Sequence, residues 1–154
     1  EKVWLDAKEC FNELKKYEES IDKRIPVNSE IYFKNNNEIL FSNKETLDAE
    51  RTAFSAYHEY GIKLLLLTNY YYLPKKKLRT AEVFKHSLYV ADKTGDTKFL
   101  IFIALFYSKY KKELQHIKHH ILDNLNNIFL GETVPKYPSI QEIRDSAQIY
   151  NIKV

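Results

Sequence analysis

Apolar residues recur at helical spacing along most of the chain. Trp4, Phe11, Leu14 and Ile21, with Glu and Lys between them, predict an amphipathic helix over 3–24. Pro26 ends it, and Ile25 before the proline is biased away from helix. Residues 31–41 read as two short apolar runs around Asn35, Asn36 and Asn37, which suits either a small β-hairpin or a plain loop. Ser42 or Asn43 can cap a following helix with Glu45 in its first turn. The apolar pattern to Leu73 then predicts two helices, 44–60 and 62–73, broken at Gly61 and stopped by Pro74. A helix over 78–93 closes at Thr94 and Gly95, the glycine taking the left-handed position past the end.

Asp96 or Thr97 opens the next helix, which runs to about Lys112. Its first half, Phe99 to Tyr107, is apolar on all sides and needs neighbours on several faces. A helix over 113–130 carries Leu114, Ile117, Ile121, Leu125 and Ile128 on one face and ends at Gly131. Pro135 and Pro138 hold an extended link. The last helix, 139–150, starts in a capping box made by Ser139 and Glu142.

Composition sharpens this picture. Three Gly and four Pro in 154 residues leave too few turn formers for an all-β fold. The prediction is therefore an all-α chain of antiparallel helical hairpins, a single helical domain or fragment. Residues 1–43 supply a helix and linker, 44–130 the helical core and 131–154 a C-terminal helix. The chain starts at Glu1 and contains no Met, so it reads as a piece of a longer protein. A net charge of +3 permits acidic partners without demanding nucleic acid. The single Cys10 excludes an internal disulfide and a Cys-based zinc site, and fits a reducing, cytoplasmic setting. The apolar runs fall far short of the ~20 residues of a membrane span.

The stretch Leu64 to Asp96 resembles a tetratricopeptide repeat. Thr68 stands at the family's small crossing position, Leu64 and Leu67 at its large apolar ones and Tyr71 at its aromatic one. Thr80, Phe84 and Ser87 follow its small–aromatic–small order, with Leu88 and Ala91 completing the stripe. Ala104 and Ser108 match the first helix of a second repeat. His120, Asn124 and Asn127 do not match its second helix. The resemblance covers about 50 residues and implies right-handed stacking of hairpins around a concave peptide groove. By position the groove would show Leu65, Asn69 and Tyr72 from one repeat, and Leu105, Lys109 and Lys112 from the next.

Catalytic signatures are sparse. His116 and His120, at i and i+4, could ligate a metal ion with Glu113 or Asp123, but the stripe reads as a solvated flank, so no metal or other cofactor is expected. Arg79 and His86, separated by six residues, resemble the motif of the all-α HEPN family, whose members cleave RNA. Lys75–Lys77 beside them would then hold the RNA backbone. Separately, Lys75–Lys77, Lys109, Lys111 and Lys112 interleave with Tyr70–Tyr72, Tyr107 and Tyr110 as a nucleic-acid surface would, but a net charge of only +3 speaks against it. The leading expectation is a non-enzymatic protein- or peptide-binding module of a larger, bacterial regulatory or scaffold protein. The alternative is a HEPN-like ribonuclease using Arg79 and His86, and a third reading is a helical bundle with an unspecified partner.

Overall fold

The computed structural model describes residues 22–154, and divides the chain into two units, 1–30 and 31–154. The helix expected over 3–24 lies outside the described residues except for its last three, and Lys23 and Arg24 form a turn. In that turn the Arg24 guanidinium pairs with Asp22 at 2.6 Å.

The second unit is not all-α. Its first half builds a four-stranded sheet in the order β1-β2-β4-β3. The strands are β1 (Glu30–Lys34), β2 (Ile39–Asn43), β3 (Glu50–Arg51) and β4 (Asn69–Leu73). Residues 31–41 thus form the hairpin, one of the two conformations their pattern allows. Asn35 sets its turn, its Oδ1 accepting from the N–H groups of Asn37 and Glu38 at 2.8 and 2.9 Å. β4 runs antiparallel to both neighbours, with Phe41 opposite Tyr71 and Glu50 opposite Tyr72.

The sheet overturns the helices expected over 44–60 and 62–73. Asn43 does act as a local cap, but its Oδ1 takes the Glu45 N–H into a turn rather than a helix. The loop after it is pinned from β4: the Tyr71 hydroxyl donates to the Glu45 carbonyl at 2.8 Å and accepts from the Leu47 N–H at 3.1 Å. Ala53–Tyr60 is a 3-10 helix, and Ile62–Thr68 is irregular, with bends at Leu67 and Thr68. Tyr70–Tyr72, expected at the end of a helix, occupy a strand, where aromatic rings fit the pleated surface well.

The second half is helical: α1 (Thr80–Thr94), α2 (Thr97–Lys109), α3 (Lys111–Leu114), α4 (His120–Phe129) and α5 (Ile140–Ile149). The single helix expected over 113–130 is broken, since Gln115–His119 is non-helical between α3 and α4. Gly95 takes the left-handed position after α1, the Asp96 side chain caps α2, and Ser139 with Glu142 forms the capping box of α5. Apolar on all sides, α2 is buried along Phe99, Leu100 and Ile103–Tyr107. The 3-10 helix stacks Phe54 on Phe99 at 4.4 Å and Tyr57 on Phe106 at 4.5 Å, and α1 adds Phe84 against Phe106 at 5.6 Å.

The tetratricopeptide reading fails on this architecture. Thr68 precedes a strand and belongs to no helix, so it cannot be the crossing residue of a hairpin. Leu64 and Leu67 lie in irregular chain and Tyr71 in a strand, so the first helix of the supposed repeat does not exist. There is one sheet with helices beside it, an α+β arrangement, and no helical repeat among the described residues.

Ser87 is buried at a close contact, but opposite the 3-10 helix. Its Oγ donates to the Val83 carbonyl at 3.1 Å and accepts from the fully buried Tyr57 hydroxyl at 2.9 Å. Burial pushes the Tyr57 phenol well above its ordinary pKa, so it stays a donor. Ser87→Ala strands that donor and should cost about 1–3 kcal/mol in a urea titration. If Tyr57→Phe restores stability in the Ser87→Ala background, the stranded hydroxyl is the cause.

Candidate functional site

The residues expected to line a peptide groove are not brought together. Leu105 is fully buried in α2, and Tyr72 is buried in β4 with its hydroxyl donating to Glu38 at 2.6 Å. The Lys109 ammonium donates to the Tyr60 carbonyl at the end of the 3-10 helix. Gly61 sits there at φ +81°, and a Cβ on it would stand 2.8 Å from the same ammonium. Lys112 is exposed on α3. Leu65 and Asn69 remain, on or next to β4.

These two belong to a different surface. From Ile62 to Leu67 the chain forms no regular element and its burial alternates: Ile62 is buried, Leu64 and Leu66 pack against the core, and Leu65 and Leu67 point outward. Leu65 is 99% exposed and Leu67 90%, an unusual cost for two leucines in so short a stretch. Among the described residues, no main-chain hydrogen bond is made by Leu64, Leu65, Leu66 or Leu67. The segment thus has the in–out alternation of a strand while its main-chain groups are unpaired.

Beside it lies a cleft of about 240 Å³ lined by Arg51, Phe54, Ser55, His58, Leu64, Leu66 and Asn69. Three local devices shape it. The Ser55 Oγ accepts the Tyr70 N–H at 2.8 Å, which ties the 3-10 helix to the start of β4. His58 turns its Nδ1 back to the Ser55 carbonyl at 3.0 Å. Asn69 aims its amide N–H group at the carbonyls of Lys44 and Glu45, leaving its Oδ1 as an acceptor. Arg51 is exposed and makes no ion pair among the described residues. A mostly polar cleft beside unpaired main-chain groups, with Leu64 and Leu66 on one side and the Arg51 guanidinium among its lining, can take a peptide carrying a carboxylate.

Arg79 and His86 sit seven residues apart on one helix, and each is engaged. At the start of α1 the Arg79 side chain donates to Glu82 Oε1 at 3.1 Å, and the Arg79 backbone N–H donates to the same oxygen at 3.2 Å. Burial acts to raise the Glu82 carboxyl, but Arg79 and Lys76 together hold it below its ordinary pKa. His86 stacks on Tyr72 with ring centroids 5.0 Å apart, and its Nδ1 lies 2.6 Å from the hydroxyl of the buried Thr52. Burial pushes His86 down to about 4, so the ring is uncharged at neutral pH. Thr52 is inaccessible, so the Thr–His contact fixes the ring rather than activating a nucleophile. The HEPN resemblance also rests on an all-α domain, whereas here the motif's helix packs beside a sheet.

The i, i+4 pair of His116 and His120 is not assembled either. His116 precedes α4, and the ring beside His120 is that of its immediate neighbour His119. Both reach Asp92 on α1, with His119 Nε2 at 2.9 Å from Oδ2 and His120 Nε2 at 3.0 Å from Oδ1. Sequence spacing could not reveal this grouping, because His119 lies just outside the helix and Asp92 is contributed by another element.

Among the described residues no helix is long and apolar enough to cross a membrane. The chain matches no protein-family model, no curated protein and no solved structure, so the tetratricopeptide resemblance has no support from relatives either.

Proposed function

We propose that this chain is a non-enzymatic binding module that captures an extended peptide by β-strand addition along Leu64–Leu67. The observation that carries the reading is a segment without main-chain hydrogen bonds whose side chains alternate, with Leu65 and Leu67 facing outward. An open row of main-chain N–H and C=O groups is a template for another strand, and alternating side chains supply the selectivity. The core side of the segment is already anchored by Leu64 and Leu66, so little ordering entropy opposes binding. Arg51 and His58 on the cleft rim, with Lys63 exposed at the start of the segment, favour a peptide with an acidic side chain or a free C-terminal carboxylate. The lone Cys10 suits a cytoplasmic partner.

A displayed library of random peptides with free C-termini tests this directly. Selected peptides should alternate apolar residues and carry a carboxylate near one end. The double variant Leu65→Ser/Leu67→Ser should bind them at least ~10-fold more weakly, a difference of about 1.4 kcal/mol. Arg51→Ala should weaken binding more at low salt than at high salt, since an exposed charge contact is screened. No enrichment, or equal binding by the double variant, removes the reading. Loss of a specific RNA-cleaving activity in His86→Ala would instead favour the ribonuclease.

A further inference from the structure

We propose that Asp92, His119 and His120 form a binding site for a divalent transition-metal ion of the zinc class. Two imidazole nitrogens and one carboxylate oxygen lie within 4.8 Å of one another. Such an ion takes nitrogen and oxygen donors at roughly 2.0–2.2 Å, so small side-chain adjustments can bring all three donors onto one ion.

The backbone explains how consecutive histidines come to share one target. Successive residues inside a helix point about 100° apart. His119 is the extended residue just before α4, at φ −160° and ψ 145°, and His120 is the first residue within it. The change of conformation between them brings the rings into a stack with centroids 4.3 Å apart. Asp92 arrives from the last turn of α1. A carboxylate there meets the negative end of the helix dipole and is disfavoured unless a cation accompanies it. Its ion-pair partners among the described residues are the two histidines, while the neighbouring Lys93 reaches away to the Ile31 carbonyl. A bound cation would supply the missing compensation.

The proton bookkeeping is specific. His119 Nδ1 accepts the Ile121 N–H at 3.1 Å, so that nitrogen is bare and the ring's proton sits on Nε2, facing Asp92. Coordination through Nε2 moves this proton to Nδ1 and gives up the cap on α4. His120 can make the same exchange with no cap to lose. Three protein donors leave a position for water or an exogenous ligand. His119 also lines a cavity of about 310 Å³ with Lys85, Leu88, Tyr89, Ile117 and Lys118, whose two lysines would favour an anion at that position.

Titration of the full chain with Zn²⁺, and separately with Co²⁺ as a spectroscopic probe, tests the site. One equivalent should bind, with Co²⁺ giving the visible absorption of a low-coordinate nitrogen–oxygen site. His119→Asn is the informative variant, because asparagine caps a helix well and preserves the fold while removing the ligand. It, His120→Ala and Asp92→Asn should each weaken Zn²⁺ binding at least ~10-fold, whereas Cys10→Ser should leave it unchanged. Absence of saturable binding, or binding indifferent to all three ligand variants, would overturn the proposal. If circular dichroism shows that Asp92→Asn does not fold, His119→Asn and His120→Ala still decide the matter.

Discussion

Phe54→Ala should cost about 3–5 kcal/mol of folding stability, the range for deleting a buried aromatic ring. Phe54 is 1% exposed and contacts rings on three sides of itself: Tyr57 within the 3-10 helix, Tyr70 on β4, and Phe99 and Phe102 on α2. It therefore joins the sheet to the central helix, and neighbours held by their own strand or helix cannot collapse into the void. For a domain whose total stability is about 5–15 kcal/mol, that loss leaves a substantial unfolded fraction. Guanidinium titration by circular dichroism should show a lower midpoint with an unchanged slope. A change below ~1 kcal/mol would mean that the ring is not packed as described.

Acidification should destabilise the fold through His86. Its pKa is held at about 4 in the folded chain and returns to the ordinary value near 6.5 on unfolding. The unfolded chain therefore binds the proton first. Stability is complete above about pH 6.5, falls as pH drops towards about 4, and flattens below it. The loss is at most about 3.5 kcal/mol, because 1 pKa unit corresponds to about 1.4 kcal/mol. His86→Gln keeps an amide that can bond Thr52 but cannot take up the proton. Urea titrations at pH 7.5 and pH 4.5 should show a smaller pH loss in the variant than in the parent chain. Glu82, held below its ordinary pKa by Arg79 and Lys76, and Asp48, lowered by Lys75, add to acid sensitivity at still lower pH. Both carboxylates remain in the variant, so the difference isolates His86. Equal losses in the two proteins would mean that the ring is solvated.

The helical half was legible because its signals are local. Gly95, Asp96, and the Ser139 and Glu142 pair each fix one end of a helix through hydrogen bonds to residues a few positions away. The sheet was not legible because its evidence lies in partners distant along the chain. Phe41 meets Tyr71 and Glu50 meets Tyr72, and neither pairing leaves a trace in local spacing. The run from Leu64 to Leu67 is apolar at every position, so its period fits helix and strand alike. Leu65 and Asn69, expected on a helical groove, fall instead on irregular chain and on the first residue of β4. Tyr72 and Leu105, expected on a helical groove, are instead sealed in the interior. Asp92 carried no signal at all, since only folding brings α1 to the start of α4.

The interior built from tyrosine and phenylalanine gives the molecule two separate optical reporters. Of the twelve tyrosines, all but Tyr17 fall in residues 31–154, and the single tryptophan, Trp4, falls in residues 1–30. Light at the red edge of the indole band excites Trp4 without the phenols. Tyrosine signals in the near-ultraviolet arise mainly from the second unit, where buried rings such as Tyr57 and Tyr70 are held in fixed asymmetric surroundings. One unlabelled sample in a single cuvette thus reports on both units, and any difference between them in a titration can be read from which colour changes first.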